Sequence, residues 1–362
     1  MFKSQQPQSK RNTAMVFYLF PRTFFSYDTV SGRFSNHEPF LYSPSLYSYL
    51  QELKQKTSDI SFFSYNPYIW LYTATLNKTN SSNLCIANIR VNVTGMYELI
   101  EMVDLLRMSW DTHPSIRTFH MGPNAFAMNE AIQYIRKKRG QGFRISSDTN
   151  DMWINSRHVD VRELYESQKQ TFHLITADCT NKEDSEYDSC ITALESISIS
   201  LCTQKHGGTF ILKLGDTFSE LSLDIIYLLS HFYEKTYFIK PSVNNITSSE
   251  KFMVCKGFLF ENLDEMILSM LENLYYCTKI NQLHLNRIFH DSIPLFFIGK
   301  LEEINAIFGQ PRLEIMNYIL STTEHNSSRT IYTSKQDIQK CVEWCNKYRV
   351  PIHDVWMPWK SV

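Results

Sequence analysis

Apolar residues along this chain fall into short blocks with two alternating periods, and the blocks are densest in the middle. From residue 206 the chain reads HGGTFILKLGDTFSELSLDIIYLLSHFYEKTYFIKPSVNNITSSEKFMVCKGF. Three apolar runs there have strand character, at 209–214, 236–240 and 251–257, and 218–232 has helical period. Gly207 and Gly208 break the chain before the first run, and Pro241 closes the second. Upstream, TFHLITA predicts a buried strand over 171–177 that ends at Asp178, and 187–204 predicts a long helix. MYELIEMVDLLRM, at 96–108, places Met96, Leu99, Ile100, Val103 and Leu106 on one helical face. A short apolar stretch at 116–119 then leads through a tight turn into a helix with a basic tail and Gly140. Strands and helices alternating in this way predict an α/β fold with a parallel-rich sheet.

The flanks read differently. Residues 1–13 are polar and basic, a composition that favours disorder, and before residue 76 only 45–54 (SLYSYLQELK) predicts a helix. The aromatic-rich remainder of that segment reads as a cover packed on the main domain, the alternative being a surface for RNA or a protein partner. Downstream of residue 258 three helices are predicted, at 263–277, within 299–308 and at 334–348. The expected division is therefore 1–83 as an N-terminal appendage, 84–258 as the main domain and 259–362 as a helical C-terminal extension.

Composition narrows the picture. At 43% apolar and 20% charged residues the chain has the balance of a globular protein. A net charge of −1 excludes global attraction to nucleic acid, so any RNA contact must be local. Arg136, Lys137, Lys138, Arg139 and Arg144 form the densest basic cluster, equally readable as a solvated helix end or an RNA-backbone contact. The eight cysteines form no CxxC pair, which suits reduced thiols in the cytoplasm, and Cys341 with Cys345 alone does not make a zinc site. Lys3, Lys10, Arg11 and Arg22 precede the first acidic residue, Asp28, so a mitochondrial transit peptide is the minor alternative. The apolar stretch 14–20 is too short to span a bilayer.

Chemistry enters with Lys213, which interrupts the run Phe210-Ile211-Leu212-Lys213-Leu214. A lysine is buried only with partners, and a desolvated lysine loses proton affinity and can serve as a base. Periodicity alone would make it an edge-strand lysine whose head reaches water. The order GGTFILKL, amphipathic helix, FIKP, polar loop and SSEKFMVC resembles the second half of FtsJ-like (RrmJ-type) ribose 2′-O-methyltransferases, nearest their mRNA-cap branch and its viral relatives. That resemblance implies a Rossmann-like methyltransferase sheet with helices on both faces and S-adenosyl-L-methionine as methyl donor. It implies RNA, near an mRNA 5′ cap, as substrate. It also implies a catalytic set in which Lys213 handles the hydroxyl proton, Asp178 orients it and Glu250 (SSEKF) holds the ammonium. An Asn-, Ile-, Tyr-, Lys- and Ser-rich composition suits a large DNA virus, which would add the virion or viral factory as a location.

The turn Gly122-Pro123-Asn124-Ala125-Phe126 is similar to the family's first motif, a Gly-Pro-Gly-Gly-Phe type turn that lets the backbone approach the donor. Gly122, Pro123, Asn124 and Phe126 are accordingly the expected cofactor residues, with Asn124 standing where the family has glycine. Asp148, in FRISSDTND, is the candidate for the cofactor ribose. Gly122→Val is expected to exclude the cofactor sterically while leaving folding largely intact. One departure bears on activity: the family's first lysine, in a pattern like aromatic-x-Lys-Met-Tyr-Glu, is matched by Val93-Thr94-Gly95-Met96-Tyr97-Glu98, with glycine at the lysine position and Arg90 the nearest cation. A weak or inactive methyltransferase fold kept as an RNA-binding or assembly subunit is therefore the second expectation.

Overall fold

A computed structural model describes residues 16–35, 40–57, 66–72, 85–89, 95–106, 116–136, 151–154, 167–180, 185–261, 263, 265–279, 281–325 and 335–356. In chain order the strands are β1 (Val16–Phe20), β2 (Val30–Phe34), β3 (Thr118–Met121), β4 (Asp151–Ile154), β5 (Phe172–Asp178), β6 (Gln204–Leu214), β7 (Tyr233–Lys240), β8 (Lys251–Phe258) and β9 (Leu285–Phe289). The helices are α1 (Pro44–Lys56), α2 (Gly95–Leu105), α3 (Ala125–Arg136), α4 (Glu186–Thr203), α5 (Glu220–Phe232), α6 (Glu265–Lys279), α7 (Leu295–His325) and α8 (Lys335–Lys347).

Seven strands form one sheet in the order β1-β7-β8-β6-β5-β3-β4. β4, β3, β5 and β6 run parallel, and β8 is inserted antiparallel between β6 and β7. Alternation along β6 divides its side chains between two cores. Phe210, Leu212 and Leu214 join the core that also holds the buried faces of α4, α5, α6 and α7. Ile211 joins the opposite core, built with residues of α2, α3 and α8. The sheet is thus covered by helices on both faces, and Lys213 shares the face of Ile211.

Local chemistry accounts for the element ends. Ser185 caps α4 through the backbone N–H of Asp188, whose carboxylate reciprocates in a capping box. Ser219 caps α5 by accepting from the backbone N–H of Ser222. Asp224 of α5 is buried and accepts from Arg287 Nε and Nη2 at 2.8 and 2.9 Å and from the N–H of Ile288 at 2.6 Å, which ties β9 to the main body.

Four findings differ from the sequence expectation. β6 begins at Gln204, at the end of α4, and residues between Gln204 and Thr209 form an irregularity against β5, so the two glycines lie inside the strand rather than ahead of it. α7 runs for 31 residues through Pro311, because Leu301, Ile304 and Phe308 before the proline and Met316 and Ile319 after it are all buried. That packing overrides a proline cost of about 3 kcal/mol. The segment after residue 258 is not purely helical, since β9 pairs antiparallel with β2. β1 pairs antiparallel with β7 and extends the main sheet, so both flanking segments are knitted into the centre.

Candidate functional site

Lys213 lies near the end of β6, between β5 and β8 rather than at a sheet edge, and is 4% exposed. Strand register places it opposite Asp178, the last residue of β5. Its Nζ is 3.0 Å from Glu250 Oε2 and 3.5 Å from Glu98 Oε2. Four charged groups from β5, β6, α2 and the loop before β8 therefore meet on one face, at the C-terminal edge of the parallel strands. This is where open α/β sheets keep their ligands.

Glu98 is the member that sequence reasoning missed. α2 is apolar nearly all round, and Glu98 and Glu101, three residues apart, point into the protein with exposures of 3% and 1%. Glu101 accepts from the N–H and Oγ of Ser242 at 2.9 and 2.7 Å and from Trp344 Nε1 at 3.2 Å. Glu98 Oε1 accepts from Asn244 Nδ2 at 2.7 Å. The two glutamates thus pin the polar loop between β7 and β8 onto α2. Buried acids breaking an apolar helix were the available signal, since such groups persist only when paired.

Lys240 was a second omission. It ends β7, is buried, and donates to the carbonyls of Ser248 and Glu250, so it braces from within the loop that presents Glu250. Burial and the nearby Arg312 push its ammonium down to about 7. Lys251 follows the same pattern beneath the loop, donating to Gly215 O at 2.5 Å, with burial bringing it down to about 8.

The charges decide what the cluster can do. Burial alone would strip the proton from Lys213, but Glu98, Asp178 and Glu250 together outweigh it and raise the ammonium above the ordinary lysine value. Burial pushes the Glu98 carboxyl up to about 7 against the pull of Lys213, and the charges of Glu250 and Asp178 push the same way. Glu250 is held below the ordinary range, because Lys213 and Lys240 outweigh its own desolvation. At neutral pH the site holds a charged lysine, an ionised Glu250 and a glutamate that burial makes far easier to protonate than usual.

The expected cofactor turn joins this cluster. Gly122 has φ +91 and follows β3; Ala125 N–H closes the turn on Gly122 O at 3.0 Å as α3 begins. Any Cβ at Gly122 would run into the backbone carbonyl of Asp178 on the neighbouring strand. The expectation that Gly122→Val leaves folding intact is therefore corrected: the glycine also allows β3 and β5 to end side by side. Asn124 is outside the left-handed region and uses its side chain instead, donating to Asp178 Oδ2 at 2.5 Å. Asp178 Oδ1 takes the N–H and hydroxyl of Thr180 at 2.9 and 2.6 Å. Pro123 is exposed at the turn and Phe126 half-buried in the first turn of α3. Gly95, at the start of α2, faces the same turn, and a Cβ there would meet Met128 Cε at 3.3 Å and Ala127 Cβ at 3.5 Å. Asp148, Arg90, Lys137, Lys138, Arg139 and Arg144 lie outside the described residues.

Beside Glu250 opens a cavity of about 430 Å³, lined by Tyr47, Gln51 and Lys54 of α1, Thr180, Glu186, Gly215 and Asp216, the loop residues Thr247, Ser248 and Ser249, and Arg312 and Met316 of α7. Arg312 Nη1 is 2.8 Å from Asp216 Oδ1, which fastens α7 to the end of β6. The wall is thus built from both chain flanks, α1 included.

Residues 129–258 match the family described as FtsJ-like methyltransferase. The chain is 47% identical over 53 residues to cap-specific mRNA (nucleoside-2′-O-)-methyltransferase 1 of Trypanosoma cruzi, covering 15% of each protein. It is 26% identical over 156 residues to cap-specific mRNA (nucleoside-2′-O-)-methyltransferase 2 of Pongo abelii, covering 42% of this chain and 20% of that one. A third similarity, 38% over 63 residues, covers 17% of this chain and 7% of the inactive cap-specific mRNA (nucleoside-2′-O-)-methyltransferase 1B of Caenorhabditis briggsae. The chain thus aligns with only a minor part of each relative's length. Residues 129–258, which hold β4 to β8 of the sheet, thus form the part of the chain that matches the FtsJ-like methyltransferase family.

Proposed function

We propose that this chain is an RNA ribose 2′-O-methyltransferase acting near an mRNA 5′ cap, with S-adenosyl-L-methionine as methyl donor. The observation that carries the proposal is the meeting of Asp178, Lys213 and Glu250 at the C-terminal end of the parallel strands, beside the Gly122 turn, all three within the stretch that matches the FtsJ-like family. The donor's contribution is a methyl group on a positively charged sulfonium, ready for in-line displacement. The site fits such a partner: a turn without a side chain at Gly122, next to a cluster holding three carboxylates against one lysine. Gly122, Pro123, Asn124 and Phe126 would hold the donor, with Asp148 on its ribose.

The protein's own task is alignment and the handling of one proton. Lys213 would meet the 2′-hydroxyl, Glu250 would fix the ammonium from one side, and Asp178, itself held by Asn124 and Thr180, would orient the hydroxyl. The cavity beside Glu250 would admit the acceptor nucleotide, with Tyr47 offering an aromatic face and Lys54 a cation for a phosphate.

Gly95 favours a second reading, an inactive fold retained for RNA binding or assembly, because the family's first lysine is replaced by a residue packed against Met128 and Ala127. Calorimetric titration of S-adenosyl-L-methionine separates the two. The enzyme reading expects saturable binding that Asn124→Asp alters, since a carboxylate would then face Asp178; no binding at millimolar donor would favour the scaffold.

A further inference from the structure

The proton that leaves the acceptor hydroxyl needs a destination, and the site restricts where it can go. Both oxygens of Asp178 are engaged, by Asn124 and Thr180. Glu250 Oε2 is the near partner of the Lys213 ammonium. Glu98 differs: its Oε1 is bonded to Asn244, whereas its buried Oε2 has no hydrogen-bond partner among the described residues and is ion-paired with Lys213 Nζ at 3.5 Å. One open, desolvated carboxylate oxygen thus faces the lysine from the side of α2.

We infer that Glu98 is a positioning residue that receives the hydroxyl proton through Lys213. The inference rests on the methyltransferase reading above and deepens it. As the hydroxyl oxygen forms its bond to the methyl carbon, the carbon–sulfur bond of the sulfonium donor breaks and its electron pair stays on sulfur. The Lys213 ammonium passes one proton to Glu98 Oε2 and takes the hydroxyl proton in its place. The lysine ends as it began, Glu98 ends as the neutral acid, and the donor's positive charge is gone. A lysine kept charged by three carboxylates cannot act as a base on its own; with an acceptor behind it, it can relay. This arrangement also supplies a way to work without a cation at Gly95.

The groups facing Glu98 are Lys213 on β6, Asp178 on β5, Glu250 before β8, Lys240 ending β7, and Tyr72 in the segment 66–72. Their balance leaves Glu98 at about 7, well above an ordinary glutamate. The sign follows: a carboxyl whose folded value is raised contributes stability in full below its unfolded value, and loses it as pH rises through about 7.

Glu98→Gln tests this, since it keeps an acceptor for Asn244 but cannot take a proton. The parent's kcat should rise with pH to a plateau, with an inflection near 7. The variant should lose about 100-fold in kcat at pH 7 with both KM values unchanged, lose the inflection, and keep gaining rate toward pH 9. Glu98→Asp should recover part of the loss. A second readout needs neither donor nor RNA: carbon NMR of the Glu98 carboxyl should show a midpoint near 7, and the urea midpoint of the parent, but not of Glu98→Gln, should fall between pH 5 and 8. If Glu98 served only to hold the lysine charged, Glu98→Gln would make Lys213 a better base. An equal or higher neutral rate, or an ordinary carboxyl midpoint, overturns the inference. A parent with no transfer to any RNA overturns the methyltransferase reading and this step with it, whereas an active parent with an unaltered Glu98→Gln overturns this step alone.

Discussion

Lys213→Met is expected to abolish methyl transfer, lowering kcat by at least about 10³-fold while donor affinity stays within a few-fold of the parent. Methionine matches the stem of the lysine but carries no proton and no charge. The substitution also leaves the buried Glu98 without its cation, and breaking a buried pair in this way costs about 3–5 kcal/mol. That cost depends on pH. Glu98 already sits at about 7 with the lysine present, and without it the carboxyl rises further, so below neutrality it is neutral and the penalty shrinks. Urea melts at pH 5.5 and 8 should therefore show a much larger deficit at pH 8. Equal deficits at both values would mean that the carboxylates are not compensated by Lys213.

Gly122→Val is the second large effect, and the structure changes what it should do. Valine is β-branched and is forced to φ +91, with its Cβ directed into the carbonyl of Asp178. Backbone strain of about 1–3 kcal/mol and overpacking of about 1–3 kcal/mol add to roughly 2–6 kcal/mol of lost stability. Displacing the end of β5 also shifts Asp178, so donor binding and turnover should fall together. Asn124→Ala is the informative companion, since it removes the bond to the Asp178 carboxylate without touching the backbone and should cost about 1.5–3 kcal/mol. A Gly122→Val protein with the parent's melting temperature and donor affinity would show that the turn is not where β3 and β5 meet a ligand.

Much of the central fold was legible because two periods alternate cleanly between residues 96 and 258. The strand ending at Asp178, the helix over 218–232 and the run interrupted by Lys213 appear nearly where the pattern places them. Lys213 itself was ambiguous on periodicity, since one charged residue in an apolar run fits an edge strand as well as a buried site. The order of motifs around it, rather than the strand, pointed inward. β1 and β9 are five-residue strands whose partners lie far away in sequence, β7 for one and β2 for the other, and nothing local announces such pairings. Only the part of α7 within 299–308 was read from the sequence, whereas buried residues on both sides of Pro311 carry the helix through it. Glu98 and Lys240 stood in motifs read from the sequence but were given no role there, for a related reason. Each is a charged residue at an element that also carries a clear apolar pattern, and only the closed loop from Pro241 to Glu250 shows what each one touches.

The acceptor of the proposed reaction is a ribose 2′-hydroxyl of RNA, and this can be tested directly. Labelled S-adenosyl-L-methionine should be offered with a capped RNA and with the same RNA carrying 2′-deoxy sugars at its first two transcribed nucleotides. Label should enter the first RNA, resist base removal because it sits on the sugar, and be absent from the deoxy RNA. Label that persists in the deoxy RNA, or that is released with the bases, would contradict it.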